Sequence, residues 1–163
     1  LAYFIIYYCV EKTTVIGSSM EKTLSANDQI IINKFIYHVS DPKRFDVIVF
    51  KQSGKEHSFY NIKRIIGLPG ETVQIKDGSI YINGEVLDEI IEVEEMVNYG
   101  LAAEEIVLEE NEYFVLGDNR NNSEDSRFAS IGNITRDEII GKASLRLSPF
   151  NFISKLNLKE PQK

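Results

Sequence analysis

Apolar positions along this chain fall into short runs, most of them too brief for helices. Alternating or unbroken apolar stretches recur at Gln29 to Asn33, Asp46 to Phe50, Thr72 to Lys76, Ser79 to Ile82 and Tyr113 to Leu116, with a further strand-like stretch at Thr13 to Ile16. Runs of this length, bounded by Gly, Pro, Asn and Asp, predict β-strands. Asp77-Gly78 separates two of them, and a two-residue type I′ turn needs positive φ at both central positions, which this pair tolerates. Asn83-Gly84 repeats the signal. The stretch from Glu89 to Leu108 is the sustained departure from strand character. It predicts a small irregular cap inserted between strands, with helical pieces near Gly100 to Ile106. The expected fold class is all-β, mainly antiparallel. Its parts are a β core over 11–78 and 113–150, an acidic cap over 79–112 and a tail over 151–163.

The first ten residues, Leu1 to Val10, carry no polar group except tyrosine hydroxyls and the Cys9 thiol. As a helix they would rise about 15 Å, half of the roughly 30 Å hydrocarbon core of a bilayer, so this segment alone cannot span one. A remnant of a membrane anchor and an amino-terminal core strand both remain open. A signal peptide fits poorly, because no basic region precedes the apolar run.

Composition permits one globular domain, since 163 residues at 43% hydrophobic can bury a sizeable core. Cys9 is the only cysteine, and with two scattered histidines there is no zinc pattern. No metal and no cofactor are expected. The net charge of −7 is unevenly spread: thirteen acidic residues and no Lys or Arg lie between Asp77 and Asn119, leaving 18 basic against 12 acidic residues elsewhere. The acidic run reads as a solvated face. The basic residues are scattered and not clustered with aromatics, which argues against nucleic acid as a partner. A mildly basic remainder suits proximity to anionic lipid headgroups.

Three segments hold candidate chemistry. Gly117 to Arg127, GDNRNNSEDSR, follows directly on an apolar strand. Polar groups cost about 1–3 kcal/mol each when buried without partners, so these must be solvated or joined in a network. A surface turn rich in Asn and Asp is the simpler explanation. Ile16-Gly17-Ser18-Ser19-Met20 ends a strand-like stretch with residues that let the backbone turn sharply. Taken alone, the Ser-Met pair carries little weight, and a hydroxyl capping the turn at Thr23-Leu24 would explain it. Ile62-Lys63-Arg64-Ile65-Ile66 places a lysine inside an apolar strand, where most lysines simply reach out to water.

The combination is more informative than its parts. Serine needs a base, and neither His38 nor His57 is placed beside one by any motif. A lysine serves if burial removes its proton: at the reference pKa near 10.4 about 0.04% is neutral at pH 7, and at about 8 roughly 10% is. A Ser-Lys dyad is a variant of nucleophilic acyl transfer.

These boxes, GSSMEKTL, NDQIIINK, RFDVIVF, IKRIIGLPGE and GDNRNNSEDSR, occur in the order in which this chain resembles bacterial type I signal peptidases of the compact Gram-positive kind, also called leader peptidases. The resemblance implies a signal-peptidase-type β core held on the extracytoplasmic face of the cell membrane, cutting signal peptides of secreted preproteins after small residues. By matching position it implies Ser19 as nucleophile and Lys63 as general base. Ser123 would orient Lys63, with Asp125 and Arg127 as a bracing ion pair. Main chain at Gly17, Ser18 and Ser19 would form the oxyanion hole. Val15, Met20, Leu24, Asn61 and Ile62 would line the substrate pockets. Two positions depart from the family pattern: Lys22 stands where a proline is usual, and Asn61 where an aromatic is common. They leave room for a protein devoted to pilus assembly, with pilin or sortase partners, acting as a scaffold or on a narrow client. A self-cleaving regulator of the LexA type would need a DNA-binding domain or a cleavable linker, and neither is visible.

Overall fold

The computed structural model describes residues 1–52, 54 and 59–162. Among the described residues twelve strands form two antiparallel sheets, and five of the strands forecast from apolar runs are present, β2 (Gln29–Asn33), β3 (Val47–Phe50), β5 (Thr72–Lys76), β6 (Ser79–Ile82) and β9 (Glu112–Leu116), while the stretch expected at Thr13 to Ile16 shares only Thr13 and Thr14 with the strand Val10–Thr14. The larger, eight-stranded sheet runs β1 (Val10–Thr14), β2, β11 (Ile139–Leu147), β3, β4 (Asn61–Gly67), β9 and β10 (Ile134–Thr135), with β12 (Phe150–Phe152) also paired to β11. Strands at its centre are covered on both faces, which is why β3 is an unbroken apolar run and β4 is buried from Ile62 to Gly67, Lys63 and Arg64 included. Alternate residues of β3 divide between two cores. Val47 and Val49 join Val15, Met20, Leu24 and Ile62 on one face, while Ile48 and Phe50 join Ile65 and Val115 on the other.

The smaller sheet, β7 (Glu85–Val86), β6, β5 and β8 (Ile106–Val107), packs Val73, Ile75 and Ile80 against Phe114 and Leu116 of the larger one. Asp77 and Gly78 have φ of 50° and 76°, and Asn83 and Gly84 have 52° and 82°, as the two hairpin signals require. That turn also corrects the expected cap boundary at residue 79. A two-residue hairpin keeps both arms in one sheet, so β5 pairs with β6 and the excursion begins at Thr72. The helical expectation near Gly100 to Ile106 is met by a single 3-10 turn over Gly100–Ala103 followed by β8.

At the amino end the alternative of a core strand over 1–10 does not hold. Ala2–Cys9 form a helix, α1, which is largely exposed, and β1 begins only at Val10. A run apolar at every position has no period to distinguish strand from helix. The segment that follows β11 is packed on the fold: β12 is paired, Ile153 is fully buried, and Leu158 bridges to Ile91 of the excursion.

Candidate active site

The chain carries Ser19 to the turn that follows β1 and Lys63 to the middle of the sheet on β4. Pairing with β2 continues past β1, with the Val15 N–H donating to Asp28 O at 2.8 Å, before Gly17 turns the chain at a φ of +77°. Lys63 pairs with Ile48 of β3, and only from Arg64 onward does β4 pair with β9. Lys63 Nζ lies 2.9 Å from Ser19 Oγ. Burial among apolar side chains pushes the lysine below its ordinary value, against the opposing attraction of Asp125 and Glu124. The side chain is 6% exposed, so the neutral amine is favoured by loss of hydration.

The 117–127 loop braces this pair from the side. Asn119 donates its N–H to Ser19 O at 2.9 Å and its Nδ2 to Ser18 O at 3.0 Å, while Asn122 Nδ2 donates to Ser18 Oγ at 2.8 Å. Gly117 is required by this close approach: a Cβ there would lie 2.1 Å from Ser123 Oγ and 2.6 Å from Ser19 O. Asp125 and Arg127 form a two-pronged pair, Nε to Oδ1 at 2.9 Å and Nη2 to Oδ2 at 3.0 Å, both side chains fully buried. Asp125 also accepts the Gly117 N–H at 3.1 Å. Ser123 departs from expectation. Its hydroxyl donates to Asp125 Oδ2 at 2.9 Å, and no hydrogen bond to Lys63 occurs among the described residues. A hydroxyl has one proton, and a carboxylate is its stronger acceptor.

Val15, Met20, Leu24 and Ile62 meet in one buried cluster, and Asn61 at the start of β4 is half-buried. Among the described residues no hydrogen bond uses the Ser19 N–H, which leaves it available. Lys22 is exposed and lines a cavity of about 320 Å³ with Glu21, Glu92 and Glu94. His38 lies exposed on the short helix α2 (Ile36–Val39), and His57 lies outside the described residues.

Sequence reasoning missed a second buried ion pair. Arg64, next to Lys63, binds Asp118 through Nε at 2.9 Å and Nη2 at 2.7 Å, and Thr23 Oγ1 donates to the same carboxylate at 2.5 Å. Thr23 thus ties the turn after Ser19 to the loop. The available signal was an arginine in an apolar strand, which demands a buried acceptor.

A model of the family "Signal peptidase, peptidase S26" matches residues 1–148. The chain belongs to this signal peptidase family. It is 40% identical over 147 residues to a probable signal peptidase I-2 of Synechocystis sp., an alignment covering 87% of this chain and 65% of that protein. To a signal peptidase I T of Bacillus subtilis it is 35% identical, covering 93% and 80%. The chain thus spans a little under two thirds of the Synechocystis signal peptidase. A crystal structure of a signal peptidase I from Enterococcus faecalis matches 65% of this chain and 99% of its own, at 34% identity and a TM-score of 0.52. Its likeness fits the mainly antiparallel fold described above.

Proposed function

We propose that this chain is the catalytic part of a signal peptidase I, a serine endopeptidase that removes signal peptides from exported preproteins with Ser19 as nucleophile and Lys63 as general base. The observation that carries the reading is the 2.9 Å approach of a buried lysine, shifted toward its neutral form, to a serine hydroxyl. Neutral Lys63 takes the Ser19 proton as Oγ attacks the scissile carbonyl. The oxyanion that develops faces the Ser19 N–H and the main chain at Gly17 and Ser18; one such donor is typically worth about 10²–10³ in rate. The Lys63 ammonium then protonates the departing amine, and the neutral amine again serves as base when water hydrolyses the acyl-enzyme.

Substrate has a natural place in the sheet. Among the described residues β1 pairs with β2 alone, and the first residues of β4, 61–63, pair with β3 alone. An extended signal-peptide segment fits between these edges by strand addition. Val15, Met20, Leu24 and Ile62 then line pockets that accept small side chains. Asn61, in place of an aromatic, leaves one wall polar. Ser123, Asp125 and Arg127 support Lys63 indirectly, through the carboxylate of Asp125.

Members of this family are membrane-associated. Among the described residues no helix is long and apolar enough to cross a membrane. The exposed apolar side chains of α1, with Phe35, Phe150 and Phe152, support contact between the β core and a membrane surface. No observation favours a dedicated role in pilus assembly. The reading is tested by cleavage of a preprotein with Ala at −3 and −1: wild type cuts it and Ser19→Ala does not. Full activity of Ser19→Ala would remove the assignment.

A further inference from the structure

Three arginines are buried beside the proposed catalytic pair: Arg64, Arg120 and Arg127. Two are neutralised within the core, by Asp118 and Asp125. The third is not. The carboxylate that meets Arg120 is Glu89, which reaches in from the acidic excursion; Nη1 donates to Glu89 Oε2 at 3.1 Å and Nη2 to Oε1. A buried guanidinium without a counter-charge is strongly unfavourable, so the excursion supplies a charge that the core lacks.

Arg120 is tied directly to the groups that hold Ser19. Its Nε donates to Gly117 O at 3.0 Å, and its own carbonyl accepts Arg127 Nη2 at 2.6 Å. It therefore holds Gly117 by its carbonyl, while Asp125 holds the same residue by its N–H. The residues that follow Gly117 are Asp118, which takes Arg64, and Asn119, which holds the main chain of Ser18 and Ser19. The excursion is fastened to the same loop at a second point, where Asn121 accepts the Val97 N–H at 2.9 Å and donates to Glu95 O at 3.0 Å.

We propose that Arg120 is a positioning residue for the Ser19–Lys63 pair and that Glu89 is the counter-charge holding it in place, so that the cap segment 89–97 is part of the cleavage machinery. The proposal rests on the signal peptidase reading for its kinetic consequence, but its structural consequence is separate. Glu89→Gln keeps the shape and removes the charge. In steady-state cleavage of the preprotein its kcat is expected to fall about tenfold with KM within about twofold, the pattern of a group that orders the transition state. Its Asn119 amide, donated to Ser19 O, is expected to exchange its hydrogen about tenfold faster, with Ile30 and Ile32 amides unchanged. Glu89→Asp, which keeps the charge at shorter reach, should fall between.

Ile80→Val weakens the small-sheet core away from the pair and should keep wild-type kcat; a loss equal to that of Glu89→Gln would make the effect general cap instability and overturn the proposal. Wild-type kcat in Glu89→Gln, or unchanged exchange at Asn119, would also overturn it. If wild type cuts no preprotein, the functional reading falls, and amide exchange still decides the role of Glu89. Should Glu89→Gln not fold, Glu89→Asp is read in the same two assays, where wild-type values would contradict the proposal.

Discussion

Two stretches of this chain are rich in charged residues and behave in opposite ways. The 117–127 loop buries Asp118, Arg120, Asp125, Ser126 and Arg127, and each finds a charged or hydrogen-bonding partner. The excursion leaves Glu94, Glu95, Glu104, Glu105, Glu109 and Glu110 exposed. Polarity becomes informative when it is taken out of water, because only then must each group be matched by another. Glu89 is one of the points at which the two regions meet, a cap carboxylate drawn into the buried network.

The sharpest way to break this contrast is to remove the proposed dyad. Ser19→Ala and Lys63→Ala should each lower preprotein cleavage by about a thousandfold or more while circular dichroism reports an intact fold. Residual activity near wild type in either variant would dissociate the buried network from chemistry. Asp125→Asn comes next. It leaves Arg127 buried without its counter-charge, and unfolding in urea should show a loss of about 3–5 kcal/mol; an exposed-charge value, below about 1 kcal/mol, would mean the pair is solvated.

Lys63→Met tests burial from the other side. The folded protein holds Lys63 below its ordinary value, so the unfolded chain binds the extra proton, and wild-type stability should rise with pH until the ordinary lysine value is reached. The inactive Met variant lacks that dependence. Its stability advantage over wild type should therefore shrink as pH rises toward the ordinary lysine value of about 10.4, as thermal unfolding would show. A smaller change is expected for Ser123→Ala, which loses a hydrogen bond to Asp125 worth about 1 kcal/mol and about tenfold in rate. If its rate matched wild type, the path from Ser123 through Asp125 to Lys63 would be cut. Glu104→Gln and Glu105→Gln, exposed in the cap, should leave stability within about 0.5 kcal/mol.

What could be read in the sequence was local. Asp77-Gly78 and Asn83-Gly84 announce their hairpins through backbone preference alone, and β5 and β6 lie where alternation put them. Asp125 and Arg127 pair across two positions, so matching a motif sufficed. Arg64 and Asp118 are 54 positions apart, and nothing in either local pattern names the other. Arg120 and Glu89, 31 apart, were hidden for the same reason, one inside a polar loop and the other inside an acidic run that reads as solvated. The helix at Ala2–Cys9 was ambiguous because an all-apolar segment lacks a period, and the Ser123 partner because a hydroxyl chooses among neighbours that only three dimensions supply.

Cleavage as proposed depends on Lys63 working as a buried, neutral base. The most direct test is titration of the Lys63 side chain by NMR, set beside the pH dependence of kcat/KM for preprotein cleavage. The expected result is a pKa clearly below the ordinary value of about 10.4 that coincides with the acid limb of the activity profile, so that cleavage rises with pH as Lys63 loses its proton. A Lys63 pKa at or above that value, or an activity profile flat from about pH 6 to about pH 9, would contradict it.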